Sequence, residues 1–470
     1  MKKNQKKPSF LSSTLIYVFG SFLTSGLAFI TTPIFTRLLT PEDYGITAVF
    51  ATWNTVFVNF IGLQTLISIA PAHIHFDENK FEQYVSSILF LSTLSFLFFL
   101  IVGIVFKNTF ATILNISGFL FLILLIQSFF GYVQQFYNNY LIQTKKPLKS
   151  LILSITYSVL SIGLSLLFIF NMDAKRYLGK ILGNAIVICI LGLILYFIVI
   201  FKGKKIISKK YWVYCLPLAL PAIFNSMSSI VLSQSDRVMV QNILGNYEAG
   251  IYSLAHSIAF VMLTLWTATN NAWVPWYFEN TKKRNDNYVN KMASKYIIII
   301  SFMSCLIMLI IPEAMKILGP EDYWPAGKVI PLIILGLYFY FLSMFAINFE
   351  LYKENTKWIA VTTILAAVVN IILNLSLIPK WGIWGASFAT FVSYLCSFIL
   401  HNIVVKQFKS YNIRVRSYYI GIIIVFIGFL TITVLYDYII VRLVLLLVFL
   451  LGILILKRKT IKNNIKKYLK

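Results

Sequence analysis

Several apolar stretches of this chain carry polar side chains at helical spacing. Gln127, Gly131, Gln134 and Asn138 fall at i, i+4, i+7 and i+11, which places them on one helix face along about 17 Å. Asn225, Ser229, Ser233 and Asp236 repeat that spacing. Tyr252, His256, Thr267 and Asn270 lie roughly on one side of a third stretch, and Thr363, Asn370 and Asn374 on one side of a fourth. Amides and hydroxyls both donate and accept hydrogen bonds, which suits sugar hydroxyls. Two readings stand side by side: hydrogen bonds between helices in a membrane bundle, or a polar cavity within it. The recurrence over four helices favours the cavity. Trp53, Trp266 and Trp273 lie near the same helices, where they would stack on pyranose faces or anchor at a membrane interface.

Charges in these stretches are scarce. Arg37 ends the first apolar run, and Asp236-Arg237 sits late in the run that carries Asn225. Arginine offers permanent charge and two-pronged geometry toward phosphate oxygens. The alternative is structural, with Arg37 capping a helix or pairing with Glu42 or Asp43, and Arg237 pairing with Asp236. Lys180 and Arg442 fall near outer boundaries, where long side chains snorkel to the interface. His256 has polar neighbours within its run and would serve either proton exchange or a structural hydrogen bond. His73 and His75, at i and i+2, lack the further ligands a metal needs. Cys189, Cys215, Cys305 and Cys396 stand singly with no CxxC pair, so neither disulfide framework nor zinc site is indicated. With no GxxxxGK[ST] loop and no HExxH motif, the chain reads as a non-enzyme without cofactor. Its energy source would be the membrane potential, product consumption, or a coupling ion, with H+ and Na+ both open.

These residues need elements to hold them, and composition says which. Of 470 residues, 59% are hydrophobic and 12% charged, too little polar surface for a soluble fold of this length. An all-α polytopic membrane protein of about 14 transmembrane helices is expected. The spans read as 11–36, 44–70, 84–106, 118–141, 149–171, 177–201, 212–240, 247–275, 292–312, 327–350, 358–378, 383–405, 417–436 and 439–456. The first is read as a retained helix, since no small-x-small cleavage site follows its lysine-rich start. The longest links expected are a lysine-rich inner loop at 277–291 and the outer segment IPEAMKILGPEDYWPAG. Neither has room for an extramembrane catalytic domain. With the amino terminus inside, about 31 of the 41 Lys and Arg fall on the inner side, so both termini are expected in the cytoplasm. The net charge of +25 then reflects topology and attraction to membrane lipids, and nucleic acid is not an expected partner.

Sliding the chain by 205 positions superposes TRLLTPEDYGITAVF (36–50) on NILGNYEAGIYSLA (242–255), with Leu39 on Leu244, Gly45 on Gly250 and Ile46 on Ile251. YLIQTKKPLKSLI (140–152) likewise echoes ELYKENTKWIAVTT (350–363). Two echoes in order suggest two six-span parallel repeats, about 10–201 and 212–405, around a central cavity. The expected organisation is an N-terminal lobe with inner linker at 1–211, a second lobe at 212–405, and two extra helices with a basic tail at 406–470.

TRLLTPEDYG, SQSDRVMVQNILGNYEAGIYSLA and IPKWGIWGASFAT together resemble the bacterial polysaccharide repeat-unit flippases, Wzx-like proteins of the MATE-related MOP flippase superfamily. The resemblance covers about the first 405 residues. It implies alternating-access movement of an undecaprenyl-diphosphate-linked oligosaccharide from inner to outer leaflet of the bacterial cytoplasmic membrane, for capsule or O-antigen synthesis. It also implies working partners among the polysaccharide polymerase and assembly proteins. The implied V-shaped cavity, lined by the first, second, seventh and eighth spans, picks out Arg37, Gln64, Asn225, Asp236, Arg237, His256 and Asn270. Gln127, Gln134 and Asn374 join them from the stripes above. Related lipid II flippases carry arginines deep in the cavity. Here the first span has none before Arg37, which gives sugar binding by amides more weight. An ion-coupled exporter of small cations or drugs would need buried carboxylates, and only Asp236 offers itself. A membrane glycan polymerase would need a large outer loop, and none is expected.

Overall fold

The computed structural model describes residues 20, 23, 26, 27, 29–408, 413 and 415–447. The expected first span, 11–36, therefore lies mostly outside the described residues, and the fourteenth, 439–456, partly so. Among the described residues every regular element is helical, and twelve helices are long and apolar enough to cross a membrane. The chain runs through α1 (29–38), α2 (Pro41–Gly62), α3 (Ile69–His75), α4 (Glu78–Val105), α5 (Lys107–Ile113), α6 (Gly118–Gln143), α7 (Pro147–Phe170) and α8 (Arg176–Gly203). It continues through α9 (Lys209–Leu244), α10 (Asn246–Lys282), α11 (Asp286–Leu318), α12 (Pro325–Tyr352), α13 (Thr356–Trp381), α14 (Ile383–Lys406), α15 (Val415–Leu435) and a last helical stretch, α16 (439–447).

Backbone groups inside hydrocarbon must bond internally, so apolar runs become helices and polar residues mark where they turn. Thr40 caps α2 by accepting the Asp43 N–H at 3.2 Å, with Pro41 at the first helical position and Glu42 and Asp43 in the first turn. Ser117 does the same for α6 by accepting from Leu120 at 3.3 Å. The span expected at 44–70 is interrupted: Leu63 and Gln64 both take the left-handed conformation, at φ 51° and 52°, and the chain resumes as a 3-10 turn at Thr65–Ser68 and then α3. The two links expected to be longest are mostly helix. Only three residues separate α10, ending at Lys282, from α11, starting at Asp286. The outer segment reduces to 319–324, itself partly a 3-10 turn at Glu321–Tyr323. Hydropathy marks where a helix leaves the hydrocarbon, whereas the backbone ladder continues into water as long as residues permit.

Contacts divide the described chain into two compact units, one holding the residues through Ser253 plus Lys357–Ser393, the other Leu254–Thr356 plus the residues from Tyr394 onward. In the first, α8 packs against α2, α4, α6 and α7. Gly179 and Gly183, a G-x-x-x-G pair on α8, lie where an added Cβ would meet α7 backbone, 2.9 Å from Ile169 N and 2.5 Å from Ser165 N. Helices in lipid gain from such close packing because apolar side chains alone give them no reason to associate. In the second unit α12 is buried on nearly every face, the pattern of a helix surrounded by others. There α11 packs on α12 and α15.

The closest crossing in the first unit joins the two echoing segments. A Cβ on Gly45 would fall 2.0 Å from the Asn246 carbonyl oxygen, and one on Gly250 would fall 1.8 Å from the Pro41 carbonyl oxygen. Both contacts are with backbone, which has no rotamer by which to yield. The glycines that align in sequence therefore meet in space, at the starts of α2 and α10. Gly45→Ala or Gly250→Ala should force these helices apart and cost about 3 kcal/mol or more. Once one is present, adding the second should cost much less than the first. Unfolding of the single and double variants in bicelles measures both effects, and additive losses would show that the two glycines act separately.

Candidate functional site

Asp236 stands in α9, a 36-residue helix, and is 1% exposed. Its carboxylate is reached from three other helix segments of the same unit. Tyr252, at the start of α10, donates its hydroxyl to Oδ2 at 3.0 Å. Asn374 of α13 donates its amide to Oδ1 at 2.7 Å, and Thr390 of α14 donates to Oδ2. A second layer follows: Asn374 also donates to Asn370 Oδ1 at 3.0 Å, and Ser235 donates to the same oxygen at 3.0 Å. Asn370 and Asn374 are fully buried. A carboxylate is an acceptor only, and here donors converge on both oxygens, so its burial is compensated. Arg37 and Gln64 do not enter this network.

Arg237 follows directly on α9, but none of the hydrogen bonds to Asp236 comes from it. Tyr44, Tyr252 and Asp236 lie near its guanidinium. Arg37 is exposed and donates to the Pro33 carbonyl of its own helix at 2.9 Å, so the Glu42 or Asp43 pairing is not made. Gln64, in the left-handed turn after α2, donates to the Asn59 side chain. On α6, Gln127 is buried with its Oε1 lacking a partner among the described residues, Gln134 is half-buried, and Asn138 accepts from Ser150 of α7 at 2.5 Å. Along α9 the stripe grades from exposed to buried. Ser229 and Ser233 bond back to the carbonyls of Asn225 and Ser229, at 3.0 and 2.8 Å. Asn225 itself is exposed.

The remaining site residues belong to the second unit. His256 is buried with its ring against Phe260, centroids 4.3 Å apart. Asn270 accepts from Asn348 of α12 at 3.1 Å. Trp266 and Trp273 are buried among aromatic rings, Trp266 edge-on to Tyr340 and Trp273 stacked on Tyr277. Those partners occupy much of the ring surface that sugar stacking would need.

Sequence reasoning missed two pairs of ionisable side chains. His401 Nδ1 lies 3.1 Å from both carboxylate oxygens of Glu350, with both residues fully buried. Arg442 binds Glu313 through two contacts, 2.8 and 2.7 Å, and is 3% exposed, in place of the expected snorkelling. Lys180 also departs from that expectation. Its Nζ lies 4.8 Å from the ring centroid of Phe35 and 4.5 Å from that of Tyr44, and donates to Thr47 at 3.4 Å. One signal was available for the first pair: Glu350 and His401 both sit near the ends of their expected spans, 327–350 and 383–405.

Replacing Asp236 by Ala would strand the Tyr252, Thr390 and Asn374 donors in a buried site, at about 1–3 kcal/mol for each unsatisfied group. Asp236→Ala should therefore unfold markedly earlier than wild type. A double-mutant cycle with Asn374→Ala should show coupling of about 0.5–3 kcal/mol. Additive losses in thermal unfolding would exclude the direct contact.

A sequence model described as "Polysaccharide biosynthesis protein" matches residues 10–281, and one described as MatE matches residues 221–375. Among curated proteins the chain is similar to the capsular polysaccharide biosynthesis protein CapF of Staphylococcus aureus, 24% identical over 417 residues, spanning 83% of this chain and 98% of that protein. It is also similar to an uncharacterized membrane protein of Haemophilus influenzae (strain ATCC 51907 / DSM 11121 / KW20 / Rd), 22% identical over 387 residues, 77% of this chain and 88% of that one. The fold is similar to that of the lipid II flippase MurJ in an inward closed conformation, with TM-score 0.70, 17% identity, and coverage of 95% of this chain and 100% of that one. It is similar as well to an inward-facing multidrug resistance MATE family transporter of the MOP superfamily, with TM-score 0.66, 13% identity, and coverage of 84% and 98%. With more than half its length matched by the first model, the chain belongs to the polysaccharide biosynthesis protein family.

Proposed function

We propose that this protein moves an undecaprenyl-diphosphate-linked oligosaccharide from the inner to the outer leaflet of a bacterial cytoplasmic membrane, by alternating access, for capsule or O-antigen-type glycan synthesis. The observation that carries this reading is Asn225. It lies near the middle of α9, a candidate membrane span, is exposed, and its side chain has no hydrogen-bond partner among the described residues. An amide facing hydrocarbon is costly, whereas one facing a polar path is not. What passes should then carry hydroxyls more than charge, since the neighbours of Asn225 along its stripe are serines. A cavity of about 590 Å³ in the same unit is uncharged and mixed in character, with Asn108, Thr112, Asn115, Ser117 and Asn246 beside Ile46, Ile116 and Leu120 on its walls. Its volume is in the range of small-ligand sites. The family match and the capsular relative support a glycan as the cargo. On this reading the polymerase and assembly proteins of the pathway receive the product, and both termini are cytoplasmic.

A second reading, an ion-coupled exporter of small cations, is favoured by one observation. Asp236 is a buried carboxylate within the segment that matches MatE.

The two readings differ in what a deletion strain accumulates. Loss of the gene should leave lipid-linked oligosaccharide trapped in the inner leaflet and surface glycan absent, with wild type restoring both. Asn225→Leu should leave folding stability unchanged, because this exposed side chain has no hydrogen bond to lose, and should slow appearance of surface glycan about tenfold. Unchanged surface glycan in the deletion strain, with greater sensitivity to cationic drugs, would replace the flippase with the exporter. Full glycan restoration by Asn225→Leu would remove that residue from the path.

A further inference from the structure

At the α6–α7 turn of the first unit lies a cavity of about 260 Å³ that the readings above do not use. Its walls combine Glu82 of α4, Tyr137 and Tyr140 of α6, Lys146 and Lys149 at the start of α7, and Lys202 of α8. The single carboxylate is already engaged. Lys202 Nζ lies 2.6 Å from Glu82 Oε1, and the Tyr140 hydroxyl donates to the same oxygen at 2.8 Å. Lys146 stands over the Tyr140 ring, 5.7 Å from its centroid. Neither Lys146 nor Lys149 has a carboxylate within salt-bridge distance among the described residues. Three ammonium groups thus face one carboxylate, and the lining carries excess positive charge.

Two further features sharpen the chemistry. Lys146 precedes α7 and Pro147 occupies its first position, so the Leu148 and Lys149 N–H groups at this helix start have no intrahelical partner and add a positive dipole end. The Lys146 ammonium is held below the usual lysine range, first by burial and then by repulsion from Lys202 and Lys149, which outweigh the attraction of Glu82 and of Glu78 beyond the lining. Bound negative charge would relieve that repulsion. The surroundings are apolar. Val85, Leu141, Ile198 and Val199 complete the wall, and Leu148, Ile152 and Phe201 are exposed by 58%, 62% and 69% beside it. Residues of that kind, on helices of membrane-spanning length, meet lipid tails. A free anion would gain nothing from them, whereas an amphiphile satisfies both parts at once.

We propose that this cavity is a binding site for the phosphate headgroup of an anionic membrane lipid, with Lys146 and Lys149 as its principal cationic contacts and the apolar flank of α7 and α8 holding the acyl chains. The site is separate from the Asp236 network and does not depend on what the protein transports.

The test uses the full chain, purified in neutral detergent and unfolded thermally with added phosphatidylglycerol, phosphatidylcholine or inorganic phosphate. Phosphatidylglycerol should raise the unfolding midpoint of wild type, and the other two should not. Lys146→Gln with Lys149→Gln should need about thirtyfold more phosphatidylglycerol for the same shift. Lys204→Gln, a basic residue outside the cavity, should respond as wild type. If the double variant does not fold, Lys149→Gln alone should show about a fivefold change, and Lys149→Arg should retain the wild-type response. An equal response of the glutamine variants and wild type would overturn the site. Equal stabilisation by inorganic phosphate, or by phosphatidylcholine, would overturn the anionic lipid as its occupant.

Discussion

Two backbones touching at Gly45 and Gly250 determine what can stand around them. The residue before Gly45 is Tyr44 and the second after Gly250 is Tyr252. Tyr252 bonds Asp236, and both tyrosines lie near Arg237. Tyr44 also covers the ammonium of Lys180 on its other side. With side chains at the two glycines, α2 and α10 would part, and both phenols would move off the charged groups they serve. A steric fact at the ends of two helices thus sets the hydrogen bonding of a third.

Four ionisable groups within these helices illustrate the same requirement, that polarity inside hydrocarbon be answered by the protein. The answers differ in kind. Asp236 is met by hydroxyl and amide donors, Glu350 by His401, Glu313 by the two prongs of Arg442, and Lys180 by the faces of two aromatic rings. A neutral hydrogen-bond shell leaves the carboxylate charge uncancelled, while an ion pair cancels it. A shell of hydroxyl and amide donors satisfies the lone pairs of Asp236, whereas the two prongs of Arg442 also bring opposite charge to Glu313.

Much of this was legible in the sequence, and what was not has identifiable causes. Apolar runs gave span positions from 118–141 to 417–436 that the helices extend by a few residues at most ends, because hydropathy and helix formation both follow the membrane. The stripe from Asn225 to Asp236 was visible from spacing alone, as was Asn374. That Asp236 and Asn374 meet was not visible, since 138 residues and several turns separate them. The alignment of Gly45 with Gly250 indicated a repeat, but repetition does not imply contact. The break at Leu63 and Gln64 was missed because leucine in the left-handed region carries no compositional signal. Lys180 and Arg442 were misplaced because hydropathy sets the depth of a residue and is blind to partners on other helices.

The pairs at Arg442 and Lys283 have the same chemistry and opposite settings. Lys283 meets Glu279 with both side chains more than half exposed, at 60% and 63%, whereas the Arg442 side chain is 3% exposed. Glu313 of the second pair is 27% exposed, so mobile ions reach that pair less than the first, and raising ionic strength weakens the first more. Salt concentration thereby grades two layers of this protein, an outer one that follows the composition of its bathing solution closely and an inner one that follows it less.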